Sequence, residues 1–246
     1  MATTYGITEK FGKDLAALLA DKIKRIYPRF DSDSFTSQVE QAVAGKTYTQ
    51  RVTLMAECLR VHLPGDYQES IHILTSILGE ENPHGTGMFT YYYWILPIGK
   101  YIELYGTDNF DVSMDAIEEV TKRNTGEYAV RPFIRKDPEM ALYRMRKWAL
   151  SDNFHLRRLA SEGLRPKLPW SAKLDTYIHN PGPVFEILEI LKEDPVMFVK
   201  KSVGNHLTDW LKVNREPAVE VIRRWRQSDN KHTQWIIKRA TRKISI

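Results

Sequence analysis

Cysteine is almost missing from this chain. Cys58 is the only one in 246 residues. One thiol excludes an internal disulfide framework and fits a reducing, cytoplasmic setting. The seven histidines and Cys58 form no zinc-like spacing. A P-loop and a dinucleotide fingerprint are also missing, so neither a metal nor a cofactor is expected. No run reaches the ~20 apolar residues of a membrane span. The most apolar-aromatic stretch, residues 88–98, holds Tyr91, Tyr92, Tyr93 and Trp94 but is short and interrupted by Pro97. The leading M-A-T-T-Y-G-I-T-E-K has no basic head before an apolar run, so no signal peptide and no membrane partner are expected. No Gly/Ser tract or composition break marks a linker, and a single domain over residues 1–246 is expected.

Charge is present and unevenly spread. Residues 1–120 carry 10 Lys+Arg against 17 Asp+Glu, whereas residues 121–246 carry 26 against 14. A basic half with clustered cations is the electrostatic footprint of a polyanion binder, although a solvated basic surface would look the same from charge alone.

Apolar residues recur at helical spacing almost throughout, and strand-like alternation is scarce. Phe11, Leu15, Leu18, Leu19, Ile23 and Ile26 form one stripe over 11–27. Phe35, Val39 and Val43 form another, with Asp33 or Ser34 as its cap and Gly45 as its stop. Further helices are expected near 47–62, 67–79, 88–104, 111–123, 126–135, 138–150, 153–163, 183–192, 195–212, 216–227 and 231–243. Asp137, Asp194 and Glu216 each precede a proline, which suits a helix start.

A short repeat runs through the basic half. Leu156-Arg157-Arg158-Leu159 resembles Val199-Lys200-Lys201-Ser202 and Ile237-Lys238-Arg239-Ala240, at spacings of 43 and 38 residues. HEAT-like helix pairs repeat every ~40–47 residues. The expectation is an all-α, single-domain HEAT-like solenoid with a concave basic groove, lined by Arg158, Lys201 and Arg239 at equivalent positions. The neighbouring cations Arg157, Lys200 and Lys238 would join them on a nucleic-acid backbone.

The densest chemistry lies in residues 155–170, H-L-R-R-L-A-S-E-G-L-R-P-K-L-P-W. Arg158 and Glu162 are four apart on one helical face. Gly163, Pro166 and Pro169 stop the helix, so Glu162 sits where the helix dipole disfavours a carboxylate. Arg157, Arg158, Arg165 and Lys167 surround it in sequence. An ordinary ion-pair network around a stiff loop would account for the charges. However, R-R-L-A-S-E-G-x-R-P-x-L-P-W resembles the signature of the AlkC family of DNA-alkylation-repair glycosylases.

Two further elements resemble the same family. T-G-E-Y-A-V-R-P-F-I, residues 125–134, places Glu127 and Arg131 four apart. K-S-V-G-N-H-L-T-D-W, residues 201–210, offers Asn205 and His206 to phosphate or sugar, with Asp209 one turn beyond Asn205. More mundanely, Asn205 and Asp209 would satisfy neighbouring helix ends. Weaker matches include Leu63-Pro64-Gly65-Asp66, the 101–106 segment and Trp148, and the resemblance runs from about Phe30 to Trp225. Departures exist. Lys167 stands for a usual Arg and Gly204 for a usual Ala, and the run after Arg239 lacks an expected histidine. With the sequence ending at Ile246, the immunoglobulin-like domain of some AlkC proteins is not expected.

The resemblance implies excision of cationic alkylated bases from double-stranded DNA, 3-methyladenine first and 3-methylcytosine second, by a monomer of bacterial, nucleoid-associated type. Alkylation at a ring nitrogen makes the base a good leaving group, so no acid need protonate it. A carboxylate would stabilise the positive charge growing on the deoxyribose and position a water. Glu127, Glu162 and Asp209 are the candidates. Trp170 would offer its ring face to the cationic base. Arg158 would orient Glu162 or hold a phosphate. Arg131, Arg157, Arg165, Lys167, Lys200, Lys201, Asn205, His206, Lys238 and Arg239 would contact DNA. Two other classes compete: a non-catalytic HEAT-like module for branched or bent DNA, and a protein-binding scaffold. Acids in a phosphate groove argue against the first, and the basic bias argues against the second.

Overall fold

The structure, a computed structural model, describes residues 6–86, 91–244 and 246. The leading residues read for a signal peptide include 1–5, and the expected helix at 88–104 begins in 88–90. Both segments lie outside the described residues. Among the described residues every regular element is helical and none is a strand, and no helix is long and apolar enough to cross a membrane. The chain divides into two compact units. One comprises Met1–Pro83 and Gly87–Ala129, the other His84–Thr86 and Val130–Ile246.

The N-terminal unit contains α1 (Lys13–Ile26), α2 (Ser32–Ala42), α3 (Tyr48–His62), α4 (Tyr67–Ser76), a 3-10 turn at Tyr91–Ile95, α5 (Leu96–Tyr105) and α6 (Phe110–Arg123). The apolar stripe over 11–27 is confirmed in part. Phe11, Leu15, Leu19 and Ile23 are buried, while Leu18 and Ile26 are exposed at the stripe's edge. α2 starts earlier than expected. Its cap is Asp31, whose carboxylate accepts from the Ser34 amide at 3.0 Å, so Asp33 and Ser34 lie inside the helix. Pro97 falls in the first turn of α5, where a missing N–H costs nothing.

The C-terminal unit contains α7 (Arg131–Lys136), α8 (Pro138–Ala149), α9 (Phe154–Glu162), α10 (Gly182–Leu191), α11 (Met197–Val213), α12 (Arg215–Trp225) and α13 (Lys231–Thr241). The helix expected over 126–135 is shorter than expected, because residues 127–130 form a turn and Pro132 suits the first turn of α7. Helices α9, α11 and α13 pack in succession, and each also packs on its partner, α8, α10 or α12. This is a succession of helix pairs, the unit of a helical repeat.

The caps carry a repeat signal that the basic pairs obscured. Ser151-Asp152-Asn153 precedes α9 and Ser228-Asp229-Asn230 precedes α13. In each, the Ser hydroxyl accepts from the Asn amide, at 3.1 and 3.2 Å. The Asn side chain then accepts from the amide of His155 or His232, at 2.9 and 2.8 Å. Aligned on helix starts, Arg157-Arg158 in α9 and Lys200-Lys201 in α11 are fourth and fifth, whereas Lys238-Arg239 in α13 are eighth and ninth. The equivalence assumed for Arg239 therefore slips by one turn. Four residues keep the same helix face, but Arg239 sits level with Asn205 rather than Lys201.

Candidate functional site: a buried carboxylate among guanidinium groups

Glu162 is the last residue of α9, where backbone carbonyls point outward and oppose a negative charge. It is 6% exposed. Neighbours compensate for both penalties. Arg165 Nη1 donates to Oε1 at 2.6 Å, and Arg158 Nη2 lies 3.6 Å from the same oxygen. The Ser202 hydroxyl, from α11, donates to Oε2 at 2.5 Å. Burial alone would raise the Glu162 pKa, but Arg158, Arg165 and the Ser202 hydrogen bond outweigh it and hold the carboxyl well below its ordinary value. Glu162 is thus a fixed anion at neutral pH.

Arg165 also donates through Nε to Asp209 of α11 at 2.7 Å. Burial pushes Asp209 up against the pull of Arg165, with Glu162 adding repulsion. One guanidinium therefore ties two carboxylates from adjacent repeats. Gly163 lets the end of α9 pack closely on its neighbours, because an added Cβ would lie 2.9 Å from Val130 and 3.1 Å from Met145. The Arg158 guanidinium lies 4.9 Å from the Phe198 ring centroid, within cation–π range.

The loop after α9 is held from below. Arg131 is 1% exposed. It donates to the carbonyls of Arg165 at 2.9 Å, Ala172 at 2.7 Å and Gly163 at 3.4 Å. That loop presents Trp170, 65% exposed and, among the described residues, the one non-glycine in the left-handed region, at φ 59°. A bulky residue held there signals strain sustained by its surroundings.

The remaining candidates divide sharply. Arg157 is tied to Asp194 at 2.6 Å and to the Ser151 and Asp152 carbonyls. Lys200 is buried, 3.1 Å from His232 Nδ1 and 5.6 Å from the Trp235 ring centroid. Each ties its own helix to the start of the next repeat's. His206 is fully buried; burial and Arg165 hold its pKa down to about 3 despite Glu162 and the Leu164 and Ser161 carbonyls. Lys167, Lys201 and Lys238 are exposed. Asn205 accepts from Arg239 Nε at 3.1 Å, and the Arg239 guanidinium lies 5.7 Å from the Trp235 ring centroid. A Cβ on Gly204 would meet the Arg239 stem at 3.0 Å, so glycine at 204 and arginine at 239 fit each other. In the N-terminal unit, Glu127 is 3% exposed and accepts from the Thr125 hydroxyl at 2.8 Å. Burial, with Glu127 adding to it, pushes Tyr48 up to about 12.

Sequence reasoning missed Ser161, Ser202 and Trp235. The first two lay inside quoted motifs, and the four-residue spacing of Ser202 and His206 was a usable signal that both face α9. No group of three or more His, Cys, Asp or Glu positioned to hold a metal occurs among the described residues.

Comparison with known proteins places this arrangement. Residues 123–244, nearly half of the chain, match the family described as DNA alkylation repair enzyme. Its succession of helix pairs is shared with the solved structure of Pseudomonas fluorescens alkylpurine DNA glycosylase AlkC bound to DNA containing an abasic site analog. The TM-score is 0.86 and the identity 33%, over 98% of this chain and 65% of that one. A curated relative, the uncharacterized protein YhaZ of Bacillus subtilis (strain 168), is 32% identical over 239 residues, covering 97% of this chain and 64% of YhaZ. The chain thus spans just under two thirds of the length of each.

Proposed function

We propose that this chain is a monofunctional DNA glycosylase that hydrolyses the N-glycosidic bond of cationic alkylated bases, 3-methyladenine first and 3-methylcytosine second. The observation that carries the reading is Glu162, a buried carboxylate kept ionised at a helix end that disfavours it. The likeness to an alkylpurine glycosylase bound to DNA supports it. As the C1′–N bond breaks, its electron pair neutralises the departing cationic base and positive charge grows on the sugar. A preformed anion stabilises that charge without reorganising. Water then adds to C1′ and gives up a proton, for which Glu162, Glu127 and Asp209 are the available carboxylates. Trp170 offers a ring face to the cation, an attraction of ~0.5–2 kcal/mol depending on desolvation.

The DNA would lie along α9, α11 and α13 as a concave basic face. Exposed Lys167, Lys201 and Lys238 would meet phosphates, with Arg239 and Asn205 beside them. Arg131, Arg157, Lys200 and His206 serve this surface from beneath it. The protein acts as a monomer without a cofactor.

The test is release of free base from methylated duplex DNA under single-turnover conditions, parent against Glu162→Gln. The parent releases 3-methyladenine, and the variant, still folded and DNA-bound, is at least about a hundredfold slower. Tight DNA binding by the parent with no release would favour a non-catalytic binder of distorted DNA.

A further inference from the structure

The Glu162 carboxylate has a partner that its charge does not require. Ser202 reaches Oε2 from α11 at 2.5 Å, and its oxygen also lies 2.9 Å from the Ser161 oxygen. Ser161 in turn lies 3.4 Å from His206 Nδ1. All four side chains are buried.

Counting hydrogens fixes the polarity of this chain. An ionised carboxylate only accepts, so the single Ser202 proton points to Glu162. The Ser161–Ser202 contact must then be donated by Ser161. Its proton is thereby used, so toward His206 Ser161 can only accept, from an Nδ1–H 3.4 Å away that the Ser161 and Leu164 carbonyls also attract. That leaves Nε2 as the bare nitrogen, and Nε2 is buried with no hydrogen-bond partner. His206 is neutral here, held to about 3 by burial and by Arg165. Every donor in the row thus points toward Glu162. The arginines hold Oε1 from one side while the serine pair, backed by His206, holds Oε2 from the other.

We propose that Ser202 is a positioning residue, oriented by Ser161 and His206, that fixes the rotamer of the Glu162 carboxylate for the reaction. This rests on reading Glu162 as the charge-stabilising anion. The groups facing Glu162 are Arg158 on its own helix, Arg165 in the following loop, and His206 and Asp209 on α11. Arg239 on α13 feels it more weakly, after burial, Arg242 and Arg165. The arginines carry most of the charge stabilisation, and Ser202 adds direction.

Ser202→Ala and Ser202→Thr separate the roles. Loss of a hydrogen bond to a charged group should slow single-turnover release of 3-methyladenine about ten- to a hundredfold at pH 7 in Ser202→Ala, with affinity for an abasic-site duplex unchanged. The acid limb of its pH profile should move toward neutrality, and Ser202→Thr, which keeps the hydroxyl, should recover both. Parent-like rates in Ser202→Ala would overturn the proposal, as would equal damage in Ser202→Thr. A second readout needs no catalysis: titration of the 13C-labelled Glu162 carboxyl should show its midpoint rising in Ser202→Ala and returning in Ser202→Thr. An unmoved midpoint overturns the positioning role, whereas a raised midpoint in Ser202→Ala when the parent itself releases no base leaves the Ser202–Glu162 hydrogen bond standing and overturns the glycosylase reading, and with it the role in the reaction. If Ser202→Ala does not fold, Ser161→Ala removes the supporting donor alone; a smaller drop in rate with the same shift of the acid limb is expected, and no change overturns the proposal.

Discussion

The two units use their charges differently. In the N-terminal unit, the partly buried pairs Lys100–Glu103, Lys122–Glu119 and Arg123–Glu119 each stay within one helix, and others lie on helix surfaces. Lys13 meets Glu40 at 2.8 Å and Arg25 meets Asp21 at 2.7 Å, with every partner at least half exposed. Such pairs are worth about 0–1 kcal/mol. In the C-terminal unit Arg146 and Arg224 also pair at the surface, but Arg131, Arg157 and Arg165 turn inward, to Glu162, Asp209 and Asp194 and to the carbonyls of the Trp170 loop. A basic excess counted from sequence therefore overstates the cations left for a polyanion. Several of those in residues 121–246 hold the site together.

The largest effect expected in that comparison is on excision. Glu162→Gln and Glu127→Gln should each slow base release by about a hundredfold or more, the scale of one lost charge-stabilising group. The pair separates in DNA affinity. Removing the charge of Glu162 frees Arg158 and Arg165 toward phosphate, so binding should tighten, while Glu127→Gln should leave it unchanged. Trp170→Ala should impair release of the cationic base more than binding to undamaged DNA. Parallel release assays and binding titrations decide the matter. Full activity in Glu162→Gln would make Glu162 an ion-pair partner and nothing more.

Arg131 should dominate stability. Arg131→Leu leaves the Arg165 and Ala172 carbonyls without their donor, and each unsatisfied buried group costs about 1–3 kcal/mol. A loss of about 3 kcal/mol or more in urea unfolding is expected, against less than about 0.5 kcal/mol for Arg25→Leu on the N-terminal surface. Equal losses would erase the contrast between inward and outward arginines.

Acid should separate the units further. Three groups of the C-terminal unit carry large acid-range shifts: His206 is held to about 3, Glu189 to about 2, and Glu162 below its ordinary value. His206 is neutral when folded and protonates readily once unfolded, near 6.5. The stability from keeping it neutral is complete above that value and falls as pH drops toward 3, by about 1.4 kcal/mol per pH unit. The carboxylates act in the same direction at lower pH, their contribution being lost as pH falls through their depressed folded values. Hydrogen exchange between pH 7 and pH 4 should show α9 and α11 losing protection before α1 and α3. Simultaneous loss would mean that His206 does not set the acid limit.

Much of this was legible in the sequence, for physical reasons. The helical period gave nearly every helix, because one buried stripe such as Phe11, Leu15, Leu19 and Ile23 is all a helix needs to declare itself. The residues 155–170 announced Glu162 and its guanidinium neighbours because those pairs are local, three and four residues apart. What was not legible is non-local. Arg131 reads as one more cation until the fold sets it beneath a loop 34 to 41 residues away. Ser202 reads as a small helical residue until α11 packs on α9. The repeat of basic pairs suggested the right helices and the wrong register in α13, because short runs of Lys and Arg align without reference to the Ser-Asp-Asn caps that fix each helix start.

The smallest effect tests which cations remain for DNA. Each phosphate contact contributes about 0.9 to the slope of log K against log salt on duplex DNA. Lys201 and Lys238 are exposed, so Lys201→Gln and Lys238→Gln should each flatten the slope by about one unit while weakening binding to all sequences alike. Lys200 looks identical to Lys201 in sequence, but its ammonium group is already placed by His232 and Trp235. Lys200→Gln should therefore lower stability and leave the slope unchanged, and Lys13→Gln in the N-terminal unit should change neither by much. Titration of duplex binding from 50 to 300 mM salt, an experimental range of about one Debye-length halving, separates the variants. A flattened slope in Lys200→Gln would mean that Lys200 leaves its buried partners on binding. A flattened slope in Lys13→Gln would mean that the N-terminal unit, acidic as it is, also carries DNA.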